Sequence, residues 1–236
     1  MQHTPTSRAP DSIAPAPRGL ERLTGGLLII YGLLVLATVT TRISSQADQD
    51  DFFQTAMMIA TNRDLYLASA VINLISNVLL LALAALLYLT LSRREPALLL
   101  VGTCVLVASA SVWVVSSAAG LALLSIIDSH SGEGTVPLQA MAASGPTIEL
   151  IREVTGKASF TLAALALLAI GGAISWRGMV PRWLGWLAVA TGLLMLFIWS
   201  DDAARLHRVG GAGYLLWLWL LGGWLLLKGT HPPADS

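Results

Sequence analysis

The chain has 236 residues, of which 55% are hydrophobic and only 12% are charged, whereas about 25% charged residues are typical of soluble domains. The formal net charge is zero, and no cluster of Lys and Arg forms a basic patch, which excludes nucleic acid as a partner. The single cysteine, Cys104, excludes an internal disulfide and a cysteine-based metal cluster, so the composition indicates a protein whose natural solvent is lipid.

Six apolar runs are long enough to cross a hydrocarbon core of about 30 Å. They predict an all-α fold, a polytopic membrane protein with a single six-transmembrane-helix bundle over residues 19–229. Residues 1–18 are rich in proline and predict a disordered cytoplasmic tail, and residues 230–236 predict a short cytoplasmic tail. The predicted spans cover about residues 23–41, 65–91, 97–127, 157–176, 183–200 and 209–228.

The first span and the loop after it carry two local signals. Gly25 and Gly32 are seven residues apart and share a helix face, where a missing side chain lets a neighbouring helix approach. In the loop, Asp51 can cap a short interfacial helix together with Gln54. We expect this segment either to lie as a lid on the membrane surface or to pack Phe52 onto the end of the bundle.

Polar side chains occur within the second and third spans. Asn73 and Asn77 are four residues apart on one face of the second span, and Ser109, Trp113 and Ser116 belong to the third. At such depth a polar side chain either forms hydrogen bonds between helices or serves a ligand. Both interpretations stay open, and these five residues form the candidate ligand-binding set.

The region before the fourth span combines a loop with a charged helix start. Residues 128–145 are rich in Ser, Gly and Ala and predict a connecting loop, after which Pro146 suits the first position of a helix. The charged residues that follow are spaced by three and four, as ion pairs on a helix require. These pairs are Glu149 with Arg152 and Glu153 with Lys157.

The charged residues at this end of the bundle raise the question of a catalytic or metal site. Spacings typical of metal ligands, such as His-x-x-x-His, are missing, and neither Gly-x-Ser-x-Gly nor a phosphate-binding Gly loop occurs. We therefore expect salt bridges and solvated helix ends, with no catalytic residue, no metal and no cofactor. This external polar cluster comprises Glu149, Arg152, Glu153, Lys157, Asp201, Asp202 and His207, with His130 nearby in the predicted topology.

The distribution of charge predicts the orientation of the bundle. With both termini in the cytoplasm, eight of the fourteen Lys and Arg residues but only four of the fourteen Asp and Glu residues lie on that side, as the positive-inside rule requires. This N-in/C-in orientation leaves short cytoplasmic connections and long external ones. A site made of polar groups must then lie on the external face or inside the bundle.

The turn before the fifth span carries a family resemblance. Residues 180–186 read Val-Pro-Arg-Trp-Leu-Gly-Trp, residues 170–173 read Ile-Gly-Gly-Ala, and residues 22–26 read Arg-Leu-Thr-Gly-Gly. This combination resembles a widespread family of bacterial membrane proteins that carries only a domain-of-unknown-function label. The resemblance implies a small multi-pass helical bundle in the bacterial inner (plasma) membrane, and it gives no catalytic residue to transfer.

Three hypotheses for function follow from these observations. The first is a non-catalytic accessory protein that binds membrane lipid, a membrane-protein partner or a second copy of itself. The second is a carrier or receptor for a neutral or apolar small molecule, with the candidate ligand-binding set around an interior pocket. The third is a membrane enzyme that uses the external polar cluster. A pocket lined by the candidate set, with asparagine amides that are not bonded to other helices, would favour the second hypothesis over the first.

Overall fold

The computed structural model describes residues 18–47, 51–92, 96–130, 135–177, 180–200 and 202–227. The two predicted tails therefore lie outside the described residues, except for Arg18, which begins the first helix. The described residues form seven α-helices and one short 3-10 turn. These elements are α1 (Arg18–Ser45), α2 (Phe52–Thr61), α3 (Arg63–Leu91), α4 (Pro96–His130), α5 (Thr135–Arg177), α6 (Arg182–Met195), the 3-10 turn Leu196–Trp199 and α7 (Ala204–Leu227).

Five of these helices, α1, α3, α4, α5 and α7, contain segments long and apolar enough to cross a membrane, and α6 together with the 3-10 turn forms a sixth such segment, Arg182–Trp199. This result confirms the predicted all-α fold with six spans. The physical reason is that hydrocarbon offers no partner to backbone N–H and C=O groups, so each spanning segment must satisfy them internally as a helix. The protein is a multi-pass membrane protein.

The six spanning helices form a closed ring. Each packs on two neighbours, in the order α1, α3, α4, α5, α6, α7 and back to α1, while α2 lies across the end of α3, α4 and α5. We call the end that carries α2 the α2 end, and the opposite end, where α1 begins and α7 finishes, the terminal end. The terminal half of the ring is filled by large, fully buried side chains, including Leu83, Leu87, Ile170, Ile174 and Trp217.

Glycines allow α1 and α7 to cross closely in this terminal half. A Cβ atom added to Gly25 of α1 would lie 2.6 Å from the backbone oxygen of Gly222 of α7. About two turns further along α1, Gly32 lies directly against the indole ring of Trp219. Gly25 and Gly32 therefore both serve helix packing, as their shared face predicts.

The α2 end carries a second, smaller core. The Asp51 carboxylate caps α2 by accepting a hydrogen bond of 3.2 Å from the backbone N–H of Gln54, which confirms the predicted cap. The Phe52 ring packs directly against Gly145 of α5, while Met57 is exposed. One face of α2 thus packs on the bundle and the other is free, which combines the two expected arrangements.

The predicted loop over residues 128–145 is wrong for most of its length. α4 continues to His130 and α5 already begins at Thr135, so Pro146 lies inside α5 and not at its start. A proline inside a helix gives up one backbone hydrogen bond, but Pro146 is exposed and lies next to Gly145, where Phe52 packs. The helix therefore persists because tertiary contacts with α2 and α4 outweigh the local signal.

Candidate functional site

The α2-end half of the ring encloses a mostly apolar cavity of about 440 Å³, which we call the deep chamber. Its size is within the range of roughly 300–1,000 Å³ that is usual for small-molecule sites. Four of the five members of the candidate ligand-binding set line it, namely Asn73, Asn77, Ser109 and Trp113. The structure thus brings together residues that the sequence places on two separate spans.

The two asparagines keep their hydrogen bonds within α3. The Asn77 amide nitrogen donates to the backbone oxygen of Asn73 at 2.7 Å and to the side-chain oxygen of Asn73 at 3.1 Å. In the described part of the chain, no hydrogen bond joins either amide to a neighbouring helix. Of the two interpretations that the sequence left open, the pair does not fit the interhelical one.

Two serines on α4, Ser109 and Ser116, in contrast connect α4 to α5. Ser109 donates to the backbone oxygen of Ser159 at 2.9 Å, and Ser159 donates back to the backbone oxygen of Ser109 at 2.8 Å. Ser116 donates to the backbone oxygen of Arg152 at 2.7 Å. The face of α4 that carries Ser109 and Ser116 therefore packs on α5, and both serines also line a cavity.

Aromatic side chains form the wall and the floor of the deep chamber. The rings of Trp113 and Phe160 contact each other with their centroids 4.6 Å apart. At the floor, Tyr31 of α1 and Tyr214 of α7 meet edge to face, and their hydroxyl oxygens are 3.5 Å apart. These tyrosines close the chamber towards the buried core of the terminal half.

The deep chamber opens between α1 and α7. Near the α2 end, α1 leans on α3, where Ser69 donates to the backbone oxygen of Thr38 at 3.3 Å. At the same end α7 packs closely on α6, since a Cβ atom on Gly210 would lie 2.8 Å from the backbone nitrogen of Met195. Ile43 of α1 and Gly211 of α7 are lining residues on the two sides of this gap, and Ile43 is 71% exposed.

A second cavity of about 300 Å³, the rim chamber, adjoins the deep chamber at the α2 end. Asn73, Trp113 and Phe160 belong to the walls of both chambers. The rim chamber also contains Ser116, the fifth member of the candidate set. Its walls are more polar, and they add Arg42, Tyr66, Ser69, Ser117, Arg152 and Glu153.

The external polar cluster consists mainly of ion pairs along α5. Arg152 forms a bidentate pair with Glu149, in which its Nε donates to Oε2 at 2.8 Å. The Lys157 ammonium lies 2.7 Å from Glu153 and 5.9 Å from the ring centroid of Trp199. Both predicted pairs are confirmed, and the two carboxylates are thereby occupied.

The remaining members of the external polar cluster lie apart from these pairs or outside the described residues. His207 lines the deep chamber, and Asp202 is exposed in the turn before α7. Asp201 and the side chain of His130 are not among the described residues. Within the part of the chain that the structure describes, no three His, Cys, Asp or Glu side chains are grouped so that they could hold a metal ion.

Several chamber residues have no counterpart in the sequence-based set. Tyr31, Tyr66 and Tyr214 carry the phenols, Phe160 joins the two chambers, and Gly211 leaves space at the opening. The tyrosines had a signal, because a polar aromatic side chain inside a predicted span needs a hydrogen-bond partner. Phe160 and Gly211 had none, since an apolar residue and a glycine are ordinary within a membrane helix.

A protein-family model described as a domain of unknown function (DUF4386) matches residues 23–229, a range that contains the apolar core of all six spanning helices. No curated protein and no solved structure matches the chain.

Proposed function

The chain belongs to the DUF4386 family, and from this premise we propose that it is a membrane carrier or receptor that binds a neutral or apolar small molecule in the deep chamber. One observation carries the proposal. The asparagine pair lines the chamber while its amide hydrogen bonds remain within α3. Polar groups at membrane depth are costly and are typically kept for a function.

The chemistry of the chamber supports an uncharged ligand. Its walls are mainly aliphatic and aromatic, with a few amide and hydroxyl groups, and His207 and Arg208 add two basic side chains at the α2 end, where Arg208 is exposed. Such mainly apolar surfaces bind ligands through apolar area and fix their orientation with few polar contacts. The accessory-protein hypothesis, in which the protein only assembles with lipid or a partner, needs no chamber and predicts no binding inside it. Membrane lipid itself remains a candidate ligand.

The gap between α1 and α7 supports access from the membrane. Val39 and Ile43 on one side of the opening are 44% and 71% exposed, so an apolar molecule dissolved in the bilayer can reach the chamber without crossing water. The narrow crossing at Gly25 closes the same helix pair at the terminal end. The proposed route therefore has one opening, near the α2 end.

We expect Gly211→Phe to weaken binding of a brominated alkane in the purified protein roughly tenfold or more, since even one excess methylene in a pocket costs about tenfold. Gly211 lines the chamber, and a Cβ atom there meets nothing within 4 Å, so the new side chain can start from this position without a backbone clash. Binding is measured as bromine quenching of the Trp113 fluorescence. The contribution of Trp113 is obtained by subtracting the emission of the Trp113→Phe variant from that of the protein that retains Trp113.

Gly223→Phe is the matched control, because Gly223 lies on the same helix, also has free space at its Cβ position and does not line the chamber. It should bind the probe like wild type. Equal quenching of Trp113 in Gly211→Phe and wild type, or no quenching of Trp113 at all, would contradict the proposed site.

We further propose that the protein lies in a bacterial inner membrane with the α2 end outside. In a Cys104→Ala background, Thr61→Cys at the α2 end should react with a membrane-impermeant maleimide in intact cells. Gly19→Cys at the terminal end should react only after the cells are permeabilised. Both positions are exposed. The opposite labelling pattern would contradict the proposed orientation and place the α2 end inside the cell.

A further inference from the structure

The rim chamber contains a buried phenol without a partner. Tyr66 is fully buried, and its hydroxyl has no hydrogen-bond partner among the described residues. Tyr66 and Gly120 both line the rim chamber, and a Cβ atom added to Gly120 would lie 3.3 Å from this hydroxyl. A buried hydroxyl without a partner is unfavourable, so a ligand that supplies one gains more from this group than it would gain in water.

The charged groups around the rim chamber are already engaged. Arg152 is held by Glu149, and Glu153 is held by Lys157. The Arg42 guanidinium lies 4.8 Å from the centroid of the Tyr66 ring and has a further interaction of its own. A carboxylate or phosphate in the chamber would compete with Glu149 for Arg152 and would lie near the like charge of Glu153, whereas an uncharged group would do neither.

The serine hydroxyls of the chamber have also used their protons. Ser69 and Ser116 donate to backbone oxygens of neighbouring helices, and Ser117 donates within α4. Their oxygen atoms can still accept a hydrogen bond. Together with the phenol of Tyr66 and the amide of Asn73, the chamber offers both donors and acceptors, which suits a hydroxyl group, because a hydroxyl both donates and accepts.

We infer that the rim chamber binds the hydroxyl end of a neutral amphiphile whose apolar chain occupies the deep chamber, as in a long-chain alcohol or a monoacylglycerol. This inference rests on the proposed function of the deep chamber. The two chambers meet at Asn73, Trp113 and Phe160, so one molecule can extend from the first into the second. Beyond the proposed function, the inference states that the polar end of the ligand is a hydroxyl group and that this end is uncharged.

The test compares three ligands on the purified full-length chain. A brominated alkane reports binding through Trp113, and a long-chain n-alkanol and the carboxylic acid of the same length compete with it at neutral pH. We expect the alkanol to bind about tenfold more tightly than the alkane probe, a ratio that corresponds to one well-formed hydrogen bond, and more tightly than the carboxylate.

Tyr66→Phe removes only the phenol oxygen. We expect it to lower the affinity for the alkanol about tenfold and to leave the affinity for the alkane probe unchanged. Tyr88→Phe, on the same helix but outside both chambers, should change neither affinity. The melting temperature of ligand-free Tyr66→Phe should equal or exceed that of wild type, because the lost hydroxyl has no partner, whereas a structural hydroxyl would lower it.

The outcomes separate this inference from the proposed function. If the probe binds but the alkanol gains nothing over it, or if Tyr66→Phe keeps the full alkanol affinity, the hydroxyl site is wrong and the deep chamber stands. If the carboxylate binds more tightly than the alkanol, the inference of a neutral ligand is wrong and the rim chamber binds an anionic group. If the probe itself does not reach Trp113, both the deep chamber and the hydroxyl site are wrong.

Discussion

Gly25→Leu is expected to lower the free energy of unfolding by about 3 kcal/mol, the upper part of the usual range for overpacked sites. The added Cβ atom alone would lie 2.6 Å from the backbone oxygen of Gly222 and 3.0 Å from the backbone nitrogen of Leu226. A side chain could relieve such a contact by changing its rotamer, but a helix backbone cannot, so α1 and α7 must separate. Separation removes the close van der Waals contact that holds membrane helices together.

Gly26→Leu provides the control for this experiment. Gly26 is the next residue of the same helix, and a Cβ atom there meets nothing within 4 Å, so leucine should cost little and even favours the helix slightly. The two variants have the same composition and differ only in helix face. Unfolding in mixed detergent micelles, followed by circular dichroism, measures the difference, and equal stabilities would contradict the close crossing.

Gly185→Leu is expected to have a comparable effect, about 3 kcal/mol, at the crossing of α5 and α6. A Cβ atom on Gly185 would lie 2.6 Å from the backbone oxygen of Gly171 and 2.7 Å from the backbone nitrogen of Ser175. The approach is mutual, since a Cβ atom on Gly171 would lie 2.7 Å from the oxygen of Gly185. Neither backbone can accommodate a side chain without moving the helix.

Gly172→Leu is the matched control, because the nearest atom to its Cβ position is a Leu98 methyl group at an ordinary 3.5 Å. The double variant Gly171→Ala/Gly185→Ala adds a sharper criterion. Its destabilisation should be smaller than the sum of the single effects, since neighbouring sites share one displacement of the helix. Strict additivity would show that the two glycines do not face each other.

These two crossings give a packing role to Gly25, Gly171 and Gly185, which are among the residues that carry the family resemblance. Gly185 belongs to the Pro-Arg-Trp-Leu-Gly turn, and Gly171 belongs to the Gly-Gly pair at the end of the preceding span. Next to Gly185, the backbone oxygen of Leu184 accepts a hydrogen bond of 3.1 Å from the indole of the buried Trp217. The motif therefore specifies how α5, α6 and α7 pack, and it contains no residue of either chamber.

Local spacing in the sequence predicted the features that depend on one helix. The pairs Glu149 with Arg152 and Glu153 with Lys157 follow from helical geometry alone. The cap at Asp51 is likewise a contact between near neighbours. The same reasoning failed at Pro146, because the stability of that turn depends on contacts with α2 and α4 that no local signal contains.

The sequence by itself determined that the chain crosses the membrane six times, because hydrocarbon leaves the backbone no alternative to helices and makes apolar length readable in the residues. Only the tertiary structure decided that Asn73, Ser109 and Trp113 surround one cavity. Helical periodicity defines the face on which a residue lies, but not the helix that this face meets. That choice depends on how all six helices fill the ring, and the chambers lie where the filling is incomplete.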